Sequence, residues 1–272
     1  MTQSNSVSGD SGFQVGDDAP THYQARVEKF MAPFVSVVVA AAVSSGDSVL
    51  DVACGTGFAT RAAARVVGTS GNVVGSHLNP GMLTMARSVP FEGIDISWRQ
   101  ASALDLPYAD GEFDAVLCAQ GVQFFPSPSS GLREMARVLR SGGRMAVTMW
   151  DEIEQNPFFA AEVDMLVRYC DVEPDAWSSG FAEGRTQIES WFEAAGLARV
   201  DVELIEVTVS LPPPAIYIPQ HLKALPWPSR FFKVSDATRA EAIAHVEARL
   251  ADYRTGAGVE VPFRSYLASV TA

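Results

Sequence analysis

The sequence predicts an α/β protein, a mostly parallel sheet flanked by helices. Two observations carry that expectation. Through the first 150 residues, short β-branched runs alternate with segments of helical periodicity. That rhythm specifies parallel strands joined by right-handed crossovers. Near the C-terminus, two long runs alternate with a period of two, the pattern of antiparallel pairing at a sheet edge.

Element by element, "SVLDVA" (48–53) is a strand and "TRAAARVV" (60–67) a helix; "NVVGS" (72–76) is a strand and "PGMLTMARSV" (80–89) a helix. "IDISWRQA" (94–101) and "FDAVLCA" (113–119) are strands, "GLREMARVLR" (131–140) is a helix, and "GRMAVTMW" (143–150) is a strand. The "RSGGR" before that last strand reads as the glycine stop of the preceding helix. After Trp150 come two helical patterns, "NPFFAAEVDMLVRYC" and "RTQIESWFEAAG", and then the two alternating strands, 199–211 and 259–272. Between those strands lies a segment rich in proline and aromatic residues, followed by the helix "DATRAEAIAHVEARLADYR". A connection this long suggests a cap or lid. The expected division is a flexible tail over 1–20, a ligand-binding half of the core over 21–150, a helical insertion over 151–184, the rest of the sheet over 185–211 and 259–272, and a mostly helical cap over 212–258.

Composition narrows the function. The 272 residues are 47% hydrophobic and 19% charged, ordinary for a globular protein, and carry a formal charge of −12. An acidic surface repels phosphate backbones, which argues against nucleic acid and for small molecules as partners. The N-terminal segment is polar and lacks the pattern of a signal peptide. The apolar "MAPFVSVVVAAAV" is too short to span a bilayer and reads as a buried helix. Cys54, Cys118 and Cys170 are odd in number and widely separated, so neither a disulfide framework nor a metal knuckle is expected, and a reducing cytoplasm fits.

The chemistry sits in "VLDVACGTGFATRAAA". A hydrophobic strand ends at Asp51, and Gly55 and Gly57 make a tight turn that opens a helix. Glycine lets a ligand approach the backbone, and the turn aims helix N–H groups at it. Thr60 stands where a dinucleotide fingerprint would have its third glycine, which disfavours a nicotinamide oxidoreductase, and no Gly-Lys-Ser/Thr of a P-loop follows.

With "VVGSHLNPGMLTMAR", "ALDLPYADGEFDAVLCAQGVQFFPSPSSGLREMARVLRSGGRMAVTMW" and "FEAAGLARVDVE", this loop resembles the class I S-adenosylmethionine-dependent methyltransferases. The chain is most similar to the small-molecule enzymes of the ubiquinone and menaquinone type. The resemblance implies a Rossmann-like seven-stranded sheet with an antiparallel C-terminal edge strand, S-adenosyl-L-methionine as cofactor, and methyl transfer to a small molecule on O, N or C. It places Asp51, Ala53, Gly55 and Gly57 at the methionine and ribose, Leu78 and Met82 flanking the adenine, and Ala103 at the adenine edge. Cys118 and Gln120 would border the methyl group, and Tyr23 would fold over the cofactor.

Two positions depart from the family. His77 stands where Asp or Glu usually accepts both ribose hydroxyls, and Ser102 where Asp commonly faces the adenine amine. A neutral imidazole offers one acceptor where a carboxylate offers several. His77 then reads as drift, with Asn79 or water as the substitute acceptor, or as a cation for a more anionic ligand, or as a mark of weakened binding. These departures keep a rival in view, a scaffold of the same fold that binds the cofactor and steers a rearrangement or cyclisation, or only binds ligand. A base is wanted if the acceptor is a hydroxyl or an acidic carbon. His22, beside Tyr23, and His221, in the cap, are the candidates, each also readable as an exposed or structurally paired histidine. His245 reads as a surface residue and Cys54 as packing. Tyr217, Trp227, Phe231 and Phe232 either line an apolar acceptor pocket or fasten the cap by burial.

Overall fold

The computed structural model describes residues 19–174, 180–197, 199–225 and 228–272. Most of the expected tail, and Trp227, therefore lie outside the described residues.

Seven strands form one sheet: β1 (Ser48–Val52), β2 (Asn72–His77), β3 (Ile96–Gln100), β4 (Phe113–Ala119), β5 (Leu139–Trp150), β6 (Asp201–Leu211) and β7 (Val259–Thr271), in the order β3-β2-β1-β4-β5-β7-β6. The first five pair in parallel, and β7 runs antiparallel between β5 and β6. Strand order reverses between β1 and β4, and in such open sheets ligands bind at that switch point, outside the carboxyl ends of the strands.

Side-chain alternation sorts the strand residues onto two cores. Val49, Ala115, Leu117 and Ala146 face one, while Leu50, Val116, Met145 and Val147 face the other. The first is covered by α1 (Ala19–Ala42), α2 (Phe58–Val67), α5 (Pro157–Cys170), α7 (Pro214–Leu222) and α9 (Asp236–Arg249). The second is covered by α4 (Pro128–Val138) and α6 (Arg185–Ala194). Two further helices are α3 (Pro80–Ser88) and α8 (Pro228–Lys233). Central strands buried on both faces explain the continuous apolar runs of β1 and β4. The edge strand β6 buries few side chains and carries Asp201, Glu203 and Glu206, charges that discourage a further strand from pairing there.

In α1, Val27, Phe30, Met31, Phe34, Val35, Val38, Val39 and Ala42 are buried, the i, i+3, i+4 spacing of one helical face. That face lies across the sheet, touching β4 and β5. Phe30 packs on Phe263 of β7 with ring centroids 4.5 Å apart and on Trp150 at 5.4 Å.

The glycines of "RSGGR" do not stop a helix. α4 ends at Val138 and Leu139 is already in β5. The β4–β5 register jumps here, with Phe113 opposite Leu139 but Ala115 opposite Arg144. Gly142, at φ +73°, lies in that bulge and donates to the Ala272 carbonyl at 2.7 Å. A bulge that locks the C-terminus took the residues that in isolation resemble a helix cap. His245 also differs from its surface reading. It is largely buried, its Nε2 lies 2.7 Å from Asp164 Oδ2, and it joins α9 to α5.

Truncating Phe263, fully buried against Phe30, Phe158, Phe159 and Trp150, leaves a cavity at the hub of this layer. Phe263→Ala is expected to cost about 3–5 kcal/mol of stability, read as a lower urea midpoint with an unchanged slope.

Candidate active site

β1 and β4 end side by side, and immediately beyond each the backbone turns through the left-handed region at a non-glycine residue, Ala53 at φ 58° and Gln120 at φ 54°. Such a conformation costs about 1–3 kcal/mol and persists where the surroundings over-determine it. Gln120 is held by its N–H to the Thr148 carbonyl at 2.9 Å and by its Nε2 to Ser265 Oγ at 2.8 Å. Ser265 Oγ in turn donates to the Met149 carbonyl at 2.7 Å.

From this junction opens a cavity of about 230 Å³. At one end its wall is Gly55, His77, Leu78, Met82, Ser102 and Ala103. At the other it is Phe30, Trp150, Phe159, Phe181 and His221, with Ala53 and Gln120 also in the lining. Tyr23 of α1 reaches over the glycine loop, and its ring comes within 4.0 Å of where a Cβ on Gly55 would stand. A smaller recess of about 30 Å³ adjoins, bounded by Asp51, Cys54, Gly55, Phe58 and Tyr23.

The two loop glycines do different work. Gly55, at φ +57°, leaves its Cβ space open toward both cavities. Gly57, at φ +90°, is in neither wall. A Cβ there would stand 2.4 Å from the Trp98 ring, so this glycine admits β3's tryptophan against the loop. Cys118 is likewise buried and outside the lining, where burial keeps its thiol protonated. Cys54 is small and packed in the same way, its thiol pushed well up by burial. His22 is half-buried on α1 and outside the cavity wall.

Asp51 is completely buried. Its Oδ2 accepts from the Thr60 hydroxyl at 2.6 Å, and its Oδ1 has no hydrogen-bond partner. Burial raises its pKa to about 7, against the opposing pull of the Thr60 hydroxyl and the Arg61 charge.

The structure says what His77 does. Gly55 N–H donates to His77 Nδ1 at 3.2 Å, so the ring braces the glycine loop. Burial lowers its pKa to about 4, which makes it neutral at physiological pH and removes the reading as a cation for an anionic ligand. With Nδ1 accepting, the neutral ring has no acceptor left to offer, and a backbone hydrogen bond to Ala53 also engages it. Asn79 does not take over as acceptor. Its Oδ1 already caps α3, accepting from Gly81 N–H at 2.8 Å and Met82 N–H at 3.3 Å. Ser102 Oγ accepts from Leu104 N–H at 3.2 Å.

The apolar end is not built from the aromatics of the cap. Tyr217 and Phe231 are buried in the core and Phe232 is at the surface, and none of the three lines the cavity. Tyr217 and Phe231 fasten helices α7 and α8 by burial. The aromatic wall comes instead from α1, β5, α5 and the segment before α6 that carries Phe181, with His221 alone contributing a polar ring from α7. Behind it lies a residue that sequence reasoning missed, Glu162 on α5, fully buried, with both carboxylate oxygens 3.0 Å from His221 Nδ1. The available signal was a single acid on the otherwise apolar face Phe158, Phe159, Ala161, Met165, Leu166.

Residues 50–147 match the family model described as "Methyltransferase domain". This segment is similar to that family. Over 126 residues the chain is 40% identical to the ubiquinone/menaquinone biosynthesis C-methyltransferase UbiE of Hahella chejuensis, a match covering 45% of this chain and 50% of that protein. Over 130 residues it is 38% identical to an uncharacterized protein of Mycobacterium tuberculosis, covering 47% and 46%. The match thus spans about half the length of these curated relatives. Among solved structures, the YcgJ protein of Bacillus subtilis superposes with a TM-score of 0.56 at 18% identity, covering 88% of this chain and 97% of that one. An arsenic(III) S-adenosylmethionine methyltransferase of Chlamydomonas reinhardtii gives 0.51 at 17%, covering 88% and 74%. At such identities the likeness is one of fold, the class I methyltransferase sheet.

The residues present fit S-adenosyl-L-methionine. A buried carboxylate oxygen without a partner suits the amino-acid ammonium. The open Cβ space at Gly55 admits a ligand against the backbone, and Leu78, Met82 and Ala103 offer an apolar slot for a base.

The division of labour between the glycines is testable. Gly57→Ala meets Trp98 and a left-handed backbone, and is expected to cost about 2–4 kcal/mol in urea denaturation. Gly55→Ala is expected to cost only about 1–2 kcal/mol of stability while losing most nucleoside affinity, read by calorimetric titration.

Proposed function

We propose that the protein transfers a methyl group from S-adenosylmethionine to a small, apolar acceptor. One observation carries this reading. A single cavity runs from the glycine loop and His77 to a box of four aromatic side chains. Its size admits a small molecule, and a wall of Phe30, Trp150, Phe159 and Phe181 favours a hydrophobic or aromatic one. The formal charge of −12 disfavours a nucleic-acid acceptor.

In this reading Asp51 holds the amino-acid end of the cofactor, with Thr60 fixing its rotamer. Leu78, Met82 and Ala103 hold the adenine, and Tyr23 covers the glycine loop. The cofactor supplies a methyl group already activated on sulfonium sulfur. The chain's work is then to orient the acceptor and exclude water, and the aromatic box does both. His77 offers a ribose hydroxyl no free acceptor, where an acid would offer charge-assisted bonds.

The test is calorimetric titration with S-adenosylmethionine and S-adenosylhomocysteine, followed by a search for S-adenosylhomocysteine formed from S-adenosylmethionine with apolar acceptors. Micromolar binding and product formation are expected. Binding with no product from any acceptor is the scaffold result and overturns the transferase reading. Two further outcomes are specific to the named residues. His77→Asp is expected to tighten nucleoside binding about 10- to 150-fold, by restoring charge-assisted bonds of about 1.5–3 kcal/mol. Affinity for the cofactor is expected to rise about tenfold from about pH 5.5 to about pH 7, and to stay flat in Asp51→Asn. The sign follows from Asp51's raised pKa of about 7: below it the free site holds a proton that an incoming ammonium must displace. His77, neutral already across that range, adds no slope.

A further inference from the structure

Resting on the methyltransferase reading, we infer that His221 is a catalytic base positioned by Glu162, and that the acceptor is therefore a weakly acidic hydroxyl, a phenol or an enol. Glu162 is entirely shielded from water on the apolar face of α5. Burying a carboxylate is costly, and a pair whose only task is to join two helices can usually be replaced by apolar residues at no loss. Here the acid stands behind the imidazole that lines the cavity among the aromatic side chains, His221. Both of its oxygens lie 3.0 Å from Nδ1.

With Nδ1 donating to the carboxylate, Nε2 is the ring nitrogen left to take a proton. A buried acid that fixes the tautomer and steadies the imidazolium formed on protonation is the arrangement by which histidine acts as a base elsewhere. The ring is held in place, stacked on Tyr217 at an interplanar angle of 13° and edge-on to Phe158. Tyr217 is no competing base, because burial and the Glu162 charge keep its hydroxyl protonated. Arg26 of α1 acts on Tyr217 as a further charge in this neighbourhood.

The acceptor oxygen gives its proton to Nε2 and an electron pair to the methyl carbon, whose former bonding pair stays on sulfur as a neutral thioether. The proton remains on His221 as imidazolium, opposite the Glu162 carboxylate, until solvent removes it. An amine free base needs no such help before attack, and so the dyad selects for hydroxyls.

The probe is 4-nitrophenol, whose phenolate is coloured, added to the protein without cofactor at a mildly acid pH where the free probe is mostly the phenol. Wild type is expected to bind it and to generate the phenolate band. His221→Gln should abolish the band, and Glu162→Gln should reduce the bound phenolate at least tenfold while holding the ring in place. In the wild type, the 15N resonance of His221 Nε2 should shift on adding the probe while Nδ1 stays put, which needs no variant to fold. Failure to bind the probe, binding with no phenolate, or variants that lose thermal stability yet keep the band would overturn the inference and leave a clasp between α7 and α5. Because no cofactor is present, these outcomes are separate from failure of S-adenosylmethionine to bind, which would overturn the methyltransferase reading instead.

Discussion

The site depends on one junction, the place where β1 and β4 lie side by side and the chain leaves them for helices on opposite faces of the sheet. β1 leads to α2 on one face and β4 toward α4 on the other. Parallel strands with crossovers on opposite faces leave a crevice at their carboxyl ends. Both exits are held in left-handed backbone, at Ala53 and Gln120. His77 accepting from Gly55 and Ser265 accepting from Gln120 pin the two sides. The strain is carried by hydrogen bonds reaching to β2 and β7, so the crevice is a property of the whole sheet.

The second layer of the site is aromatic. α1 lays Phe30 and Met31 over the crevice, and Trp150, Phe159 and Phe263 interlock with Phe30 at centroid distances of 4.5–5.9 Å. Large rings packed edge to face are individually favourable and collectively rigid. They also dry the far end of the cavity, and a dry wall is where a carboxylate–imidazole pair has its greatest effect on a proton. The same helices that stabilise the fold thus define what can enter it. In the proposed reading the acceptor's chemistry is set by α5 and α7, outside the matched residues 50–147.

Much of the fold was legible because it rests on period. The alternation of strand and helix through Trp150, and the two period-two strands at the end, needed only hydrophobic patterning. The glycine loop was legible because strand, acid and glycines occur in order. What could not be read was which glycine faces a ligand, since Gly55 and Gly57 differ only through Trp98, a residue forty positions away in the chain. The "RSGGR" segment misled because a bulge and a helix stop ask for the same residues. The cap aromatics misled in another way. Tyr217 and Phe231 resemble pocket residues in composition, but their helices turn them into the core. Glu162 was missed because an acid in an amphipathic helix is ordinarily solvated, and its partner His221 lies far along the sequence.

The central claim is that this one crevice holds the nucleoside and, beyond it, the acceptor. Diffraction from crystals grown with S-adenosylhomocysteine tests it most directly. Adenosine density is expected between Leu78, Met82 and Ala103, the amino-acid ammonium on Asp51 Oδ1, and the thioether sulfur pointing toward Trp150 and His221. Density for the ligand at any other surface, or with its sulfur turned away from the aromatic box, would contradict it.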